Sequence, residues 1–360
     1  MHTKKTKVTF LTNIPAPYRE PMHEILAQSS GIDYSVIYCS KIEPNREWKF
    51  ERGNYERWYL KEKATSMMHN NPNVFKYLQQ IRPDVVVATG FYPTSLYGFL
   101  WCLVNRKKFI PLTDGTLRSE KDLSFVHRLV RKVVYKFSDS YVGASTGSVD
   151  LYRSYNVPET QIFRCHLCIE NSPFLSVKPE TKEFDLMFSG QMIERKMPLF
   201  FAEVARLVKE KLGKCKVLVL GNGPLKETML KKLKEYNIEF EYPGFVQPHN
   251  LPAFYKKAKV FLFPTLQDPW GIVANEACAA GVPVITCENA GVAGDLIIHN
   301  KNGYVLPLEE VTWAEKTCHL LTNENDRQLF SENAVNAVKA YNPQAASKGV
   351  LDAVYFSLTN

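Results

Sequence analysis

The sequence predicts an α/β protein of two successive domains, each a parallel, doubly wound sheet. Three observations predict it. The chain has 360 residues, more than one core organises, since single hydrophobic cores stop growing near roughly 250–300 residues. Short β-branched and apolar runs alternate with helical stretches, which is the βαβ pattern of parallel sheets. That alternation pauses once, over the aperiodic segment 171–184 with Pro173 and Pro179, and then starts again, so the pause reads as a linker. Ligands of such sheets sit beyond the carboxyl ends of the strands, which places the expected site in a cleft between the domains.

The elements follow in order. Val8–Leu11 is the first strand, then a Pro-rich loop and a helix around Met22–Ala27. Tyr34–Tyr38 is a strand. Asp84–Gly90 is an apolar, β-branched run ending in glycine, as expected of a strand buried on both faces. Phe109–Thr113 runs into Asp114-Gly115, and Ser140–Gly143 closes the first set. In the second set Phe184–Ser189, Lys216–Leu220, Glu239–Tyr242, Val260–Phe263, Val282–Thr286 and Gly303–Leu306 are strands, with clear helices over Pro198–Leu212 and Leu225–Tyr236. The expected domains are 1–172 and 184–340, with a tail, 341–360, that crosses back to the first.

Composition excludes several classes. With 45% hydrophobic and 23% charged residues, the chain is globular, and no apolar run approaches the ~18 residues that span a bilayer. The basic start Met1–Lys7 leads into Val8–Thr12, too short for a signal-peptide core, so a cytoplasmic location is expected. Eight cysteines lack framework spacing. Cys165 and Cys168 form a CxxC with no second pair, so reduced thiols are expected rather than zinc. The net charge of +8 is carried by the first half of the chain. Much of it lies between Arg106 and Lys136. Within His127–Phe137 an apolar stripe of Leu129, Val130, Val133, Val134 and Phe137 is bordered by Arg128, Arg131, Lys132 and Lys136. Either the stripe packs on the sheet and leaves a wet basic face, or the helix rests on anionic lipid at the inner membrane face. No nucleic-acid recognition motif accompanies the charge.

Five segments carry candidate chemistry. Over 261–285 a strand ends at Pro264, a loop carries Asp268, and Pro269-Trp270-Gly271 opens a helix holding Ile272 and Glu276. Gly271 lets backbone approach a ligand, and the helix head offers N–H groups and a positive dipole end to phosphate or sugar oxygens. Phe188–Lys196 sets Gln191, Arg195 and Lys196 after another strand. Tyr242–Val246 is a strand and turn before the helix at 251–258. Asn13–Arg19, with Pro15 and Arg19, follows the first strand, and Asp114 ends the strand at Phe109–Thr113. Gly221-Asn222-Gly223-Pro224 lacks the third glycine of a dinucleotide motif and reads as a tight turn.

The segment 261–285 resembles the E-x7-E region of the large retaining glycosyltransferase family of bacterial polysaccharide synthesis, family 4 or glycosyl transferases group 1, with the first acid as Asp268. The resemblance extends to a phosphate-clamping loop at Phe188–Lys196, a base-contacting turn at Val246 and an acceptor-side loop at Pro15 and Arg19. It implies the GT-B fold, two Rossmann-like domains, and transfer of a hexosyl group from a UDP- or GDP-sugar to a glycan or lipid-linked glycan hydroxyl, with retention of configuration. It implies that Glu276 binds the ribose, that Asp268 holds donor-sugar hydroxyls, and that Trp270, Gly271 and Ile272 border diphosphate and sugar. Lys196, with Arg195 or Gln191 as second partner, would neutralise the leaving diphosphate. Many relatives place a His where Asp114 stands, which makes Asp114 a catalytic candidate. No D-x-D cluster occurs, so neither metal nor cofactor is expected. Two rivals stay open: a non-catalytic nucleotide-sugar-binding subunit, and an epimerase on the same fold.

Overall fold

A computed structural model describes residues 5–49, 53–121, 123–177 and 181–359. Met1–Lys4 and Pro179, used in the sequence reading, lie outside them. The chain divides into two units, residues 1–168 with 343–360, and residues 169–342.

The first unit contains β1 (Thr6–Thr12), α1 (Glu20–Gln28), β2 (Ile32–Tyr38), β3 (Glu56–Tyr59), α2 (Val74–Ile81), β4 (Val85–Thr89), α3 (Pro93–Asn105), β5 (Lys108–Thr113), α4 (Phe125–Lys136), β6 (Tyr141–Gly143), α5 (Thr146–Ser154) and β7 (Ile162–Arg164). Its seven strands lie in the order β3-β2-β1-β4-β5-β6-β7, and the paired neighbours are parallel. All of β4 is buried, because helices cover both faces of such a sheet. β3 and β7 escaped the sequence reading. Both are edge strands whose residues are partly exposed, so neither carries an apolar run.

The second unit contains α6 (Ser172–Ser176), β8 (Phe184–Ser189), α7 (Pro198–Leu212), β9 (Lys216–Leu220), α8 (Lys226–Glu235), β10 (Glu239–Gly244), α9 (Leu251–Lys256), β11 (Ala258–Phe263), α10 (Ile272–Ala279), β12 (Val284–Thr286), β13 (Gly303–Val305), α11 (Glu310–Thr322) and α12 (Glu324–Val338). The sheet runs β10-β9-β8-β11-β12-β13, again parallel. Its core joins Phe188, Phe201, Val219 and Leu262 with Trp313 and Phe330. The start of the expected linker is built into this unit. Asn171 donates from Nδ2 to the carbonyls of Val338 and Tyr341, both at 3.1 Å, and Phe174 packs edge-on against Tyr255 at 5.9 Å.

The last helix, α13 (Pro343–Thr359), packs within the first unit. Ser347 Oγ donates to the Met22 carbonyl (3.2 Å) and Ser140 Oγ to that of Ala353 (2.8 Å). Gly349 lies so close to the Arg164 carbonyl that a β-carbon would collide with it.

The stripe on α4 is divided between the two readings, with Val130 and Val134 packed on the core of the first unit. Val134 and Tyr135 are buried, while Phe125, Val126, Leu129, Val133 and Phe137 are exposed. Arg131 is drawn inward, paired with Glu120 and stacked 4.4 Å over Phe91. Leu129, Val133 and Phe137 of the stripe, with Phe125 and Val126, meet solvent beside Arg128, Lys132 and Lys136.

Candidate functional site

In the second unit the chain moves outward from β8 to β10 and then returns to place β11 on the other side of β8. The loops leaving the carboxyl ends of β8 and β11 therefore diverge at the switch point, where such sheets open a crevice. The candidate residues of the strongest sequence matches, Arg195, Lys196, Asp268, Trp270, Gly271, Ile272 and Glu276, fall on these two loops or on the helix that follows the second.

The loops are stitched through backbone. The Arg195 carbonyl accepts from Thr265 Oγ1 and from the Leu266 N–H, both at 2.9 Å. That fixes Arg195 and Lys196 beside Asp268, which is held in turn by its N–H on the Asn289 carbonyl (3.0 Å) and its carbonyl on the Gly291 N–H (2.9 Å). Asp268 Oδ1 accepts from the Trp270 N–H at 3.2 Å. Oδ2 is ion-paired with Lys196 Nζ and lies 3.3 Å from Arg195 Nη1. Arg195 Nη1 also donates to the Gln267 carbonyl at 2.6 Å. Burial alone would raise the Asp268 pKa, but Lys196 and Arg195 hold it below the usual carboxylate range. Two cations against one carboxylate leave a net positive charge.

That charge sits at the head of α10, whose dipole adds to it. Gly271 precedes the helix with φ +109° and caps it without a side-chain hydrogen bond. A β-carbon there would strike the Phe263 ring, and Lys196 Nζ lies 4.8 Å from the centre of that same ring. Phe263 thus spaces the ammonium from the helix head. Ile272 is the first helical residue and half-buried.

Glu276 lies one turn further along. Its Oε2 accepts from Tyr255 Oη at 2.7 Å. Burial, only partly offset by that hydrogen bond, pushes the carboxyl up to about 7. Tyr255 was missing from the sequence reading, since nothing in a short helix 21 residues upstream points to a pairing with Glu276.

Trp270 turns its ring inward. Its side chain is 1% exposed, Nε1 donates to Asn275 Oδ1 at 2.7 Å, and its ring packs at 5.4 Å on Tyr341. It anchors the loop from inside and leaves its backbone at the head of α10. Gln191 follows β8 and is half-buried, and Arg195 pairs with Asp268. Val246 is half-buried in the loop after the edge strand β10. That loop is joined to the others, as Gly221 N–H donates to the Gly244 carbonyl (2.9 Å) and Gly190 N–H to that of Leu220 (3.1 Å). The Gly221 loop is a close-approach turn, with the Gly190 carbonyl where a β-carbon would be.

Pro15, Arg19 and Asp114 belong to the first unit, at the carboxyl ends of β1 and β5. Arg19 lies half-buried ahead of α1, 5.7 Å over the Tyr18 ring. Burial opposes its charge, and Tyr18, Cys165 and Asp114 outweigh that. Asp114 is half-buried, followed by a turn in which the Gly115 N–H donates to Thr113 Oγ1 at 3.0 Å. Pro15 lines a cavity of about 320 Å³. Cys165 and Cys168 are buried and unbridged. Among the described residues no group of three or more His, Cys, Asp or Glu side chains could hold a metal ion.

Residues 172–337 match the family model described as Glycosyl transferases group 1. The 2-deoxystreptamine N-acetyl-D-glucosaminyltransferase of Niallia circulans is 29% identical over 143 residues, 39% of this chain and 36% of that protein, so the chain matches about a third of that relative's length. The GalNAc-alpha-(1->4)-GalNAc-alpha-(1->3)-diNAcBac-PP-undecaprenol alpha-1,4-N-acetyl-D-galactosaminyltransferase of Campylobacter jejuni is 28% identical over 270 residues, 74% of this chain and 73% of that one. Among solved structures, Anabaena HepE in complex with UDP and glucose superposes with a TM-score of 0.74 at 12% identity, covering 97% of this chain and 99% of that one. The shared architecture is the GT-B fold.

Proposed function

We propose that the chain, whose residues 172–337 match the glycosyl transferases group 1 model and whose architecture is the GT-B fold, moves a sugar from a nucleoside diphosphate sugar to a hydroxyl of a glycan or lipid-linked glycan, with retention of anomeric configuration. The observation that carries this reading is the cluster of Lys196, Arg195 and Asp268 at the head of α10. It joins a sugar-binding carboxylate to two cations and a helix N-terminus, which is what a departing diphosphate requires.

In the free protein Asp268 and Lys196 satisfy each other. Donor phosphates compete for Lys196 and Arg195, and their arrival releases Asp268 to accept hydrogen bonds from donor-sugar hydroxyls. Glu276 receives the ribose diol. The bond between the anomeric carbon and the β-phosphate oxygen breaks with its electron pair going to the diphosphate. The acceptor oxygen then bonds to the anomeric carbon on the face that the diphosphate leaves, and its proton passes to the phosphate oxygen. Lys196 and Arg195 stabilise the negative charge that builds on that oxygen, so the reading calls for no metal. The first unit takes the acceptor, with Pro15, Arg19 and Asp114 on its side. UDP in the HepE structure supports a uridine donor; the same site would accept GDP, with the choice made near Val246.

The lipid-linked acceptor named for the Campylobacter relative would reach such an enzyme at a membrane. No described helix is long and apolar enough to cross one. The exposed apolar residues at α4, with Phe125 78% and Val126 64% exposed beside Arg128, Lys132 and Lys136, fit an anionic bilayer surface.

The test is calorimetry with UDP, GDP, ADP, CMP and TDP and their sugar conjugates. A preference for one diphosphate, lost in Glu276→Ala, is the expected result. Binding of none of them, together with no donor hydrolysis, overturns the reading.

A further inference from the structure

We propose that the cavity in the first unit receives an acidic sugar of the acceptor, one bearing a carboxylate or a phosphate. The proposal rests on the reading that this unit takes the acceptor, and names the acceptor's chemistry.

The cavity opens where the loops after β1, β2 and β3 meet, and at about 320 Å³ it lies at the small end of ligand pockets, which run roughly 300–1,000 Å³. The walls are tied together by backbone. Ser40 N–H donates to the Asn13 carbonyl (3.0 Å), Lys41 N–H to that of Lys61 (3.1 Å) and Ala64 N–H to that of Ile42 (3.0 Å). The cavity is therefore formed before any ligand arrives.

Its lining is uneven in charge. Lys41, Arg46 and Lys63 face a single lining carboxylate, Glu62. Lys41 is spent on Glu62 at 2.7 Å, and Lys63 has no ion pair among the described residues. Arg46 is fixed from two sides. Its guanidinium stacks 4.5 Å over Trp48, and its Nε faces Glu43 Oε2 at 3.7 Å. Glu43 is a buried buttress, accepting from Asn13 Nδ2 at 3.0 Å and bonded to His69 Nε2 at 2.9 Å. Trp48 is itself steadied edge-on by Tyr18 at 6.4 Å.

An indole face beside a clamped guanidinium and one ammonium without an ion pair recognises a particular chemistry. The ring offers an apolar plane for the C–H face of a pyranose, while Arg46 and Lys63 supply charge-assisted bonds to an oxyanion. A neutral sugar would leave Lys63 unanswered, and a bare anion would leave the indole unused.

The experiment titrates the full chain with methyl glucuronoside, glucose 6-phosphate, methyl glucoside and inorganic phosphate, read by ligand-detected NMR and tryptophan fluorescence. Either charged sugar should bind at least tenfold more tightly than methyl glucoside and than phosphate. Trp48→Ala and Lys63→Ser should each weaken it severalfold. Lys63 is exposed, so its variant folds regardless, and an unchanged thermal transition confirms this for Trp48→Ala. Equal binding of methyl glucoside, equal binding of phosphate, or variants without effect each overturn the proposal. Titration of the same wild-type sample with UDP separates the two readings. Charged-sugar binding without nucleotide binding sinks the donor assignment alone, and the reverse sinks this inference alone.

Discussion

Replacing Glu276 by glutamine should stabilise the second unit at neutral and alkaline pH while weakening nucleotide binding. An unfolded glutamate ionises near roughly 4.3, whereas burial raises the folded group to about 7. Between those values the folded protein keeps a proton that the unfolded chain has lost. The stability tied to that proton is fully present below the unfolded pKa and is lost as pH rises through 7. The loss amounts to about 4 kcal/mol in all, at 1.36 kcal/mol for each pKa unit, of which about 2–3 kcal/mol falls between pH 5 and pH 8. Glutamine keeps an oxygen for the Tyr255 hydroxyl but has no charge to desolvate. The variant's melting temperature relative to wild type should therefore climb between pH 5 and pH 8 by roughly 5–10 °C, taking about 2–4 °C per kcal/mol for a unit of this size. Scanning calorimetry at pH 5, 6, 7 and 8 measures it. Parallel curves for the two proteins across that range would refute the reasoning. The ligand side has the matching sign: ribose hydroxyls donate to the ionised carboxylate, so wild-type nucleotide affinity should rise with pH through 7, and the variant's should not.

Gly271→Ala should cost at least about 2 kcal/mol, combining a strained positive φ with overlap on Phe263; a melting curve like wild type would mean that the helix head can relax. Lys196→Ala should slow turnover by roughly 10²-fold or more in single-turnover assays, with donor affinity changed much less; a wild-type rate removes Lys196 from the chemistry. Trp270→Phe leaves Asn275 Oδ1 without its donor and should cost about 1–3 kcal/mol of stability, while the KM for donor stays put; a large KM effect would put the ring back at the ligand. Converting Arg128, Lys132 and Lys136 together to glutamate should abolish sedimentation with anionic vesicles, since each contributes about 1 kcal/mol near such a surface; retained sedimentation, or wild-type binding that ignores salt, counts against a membrane face on α4.

The parts legible in the sequence are those where burial is uniform. Val85–Thr89 shows itself because both faces are covered, and the Gly271 helix head because glycine, proline and flanking acids mark it. The edge strands Glu56–Tyr59 and Ile162–Arg164 look like loops because they are short and none of their residues is fully buried. Pairings across the site were harder. Lys196 and Asp268 lie in different motifs, and only the strand order that sets β8 beside β11 makes them partners. The inward turn of Trp270 depends on a buried acceptor, Asn275, five residues on, which no periodicity reports. The acidic-sugar cavity escaped because residues 41–63 carry no repeat or motif; their charges converge only once three parallel strands end together.

The return of α13 to the first unit has a consequence for biogenesis. Residues 169–342 are contiguous and can complete their sheet as soon as they have left the ribosome, whereas the sheet that begins at Thr6 waits for Ser347, Gly349 and Ala353 to cover Met22, Ser140 and Arg164. The unit translated first is therefore the one finished last. Folding intermediates should present the uncovered α1 and β7 surface to chaperones, and a premature stop after residue 342 should damage the N-terminal sheet while sparing the unit next to the stop.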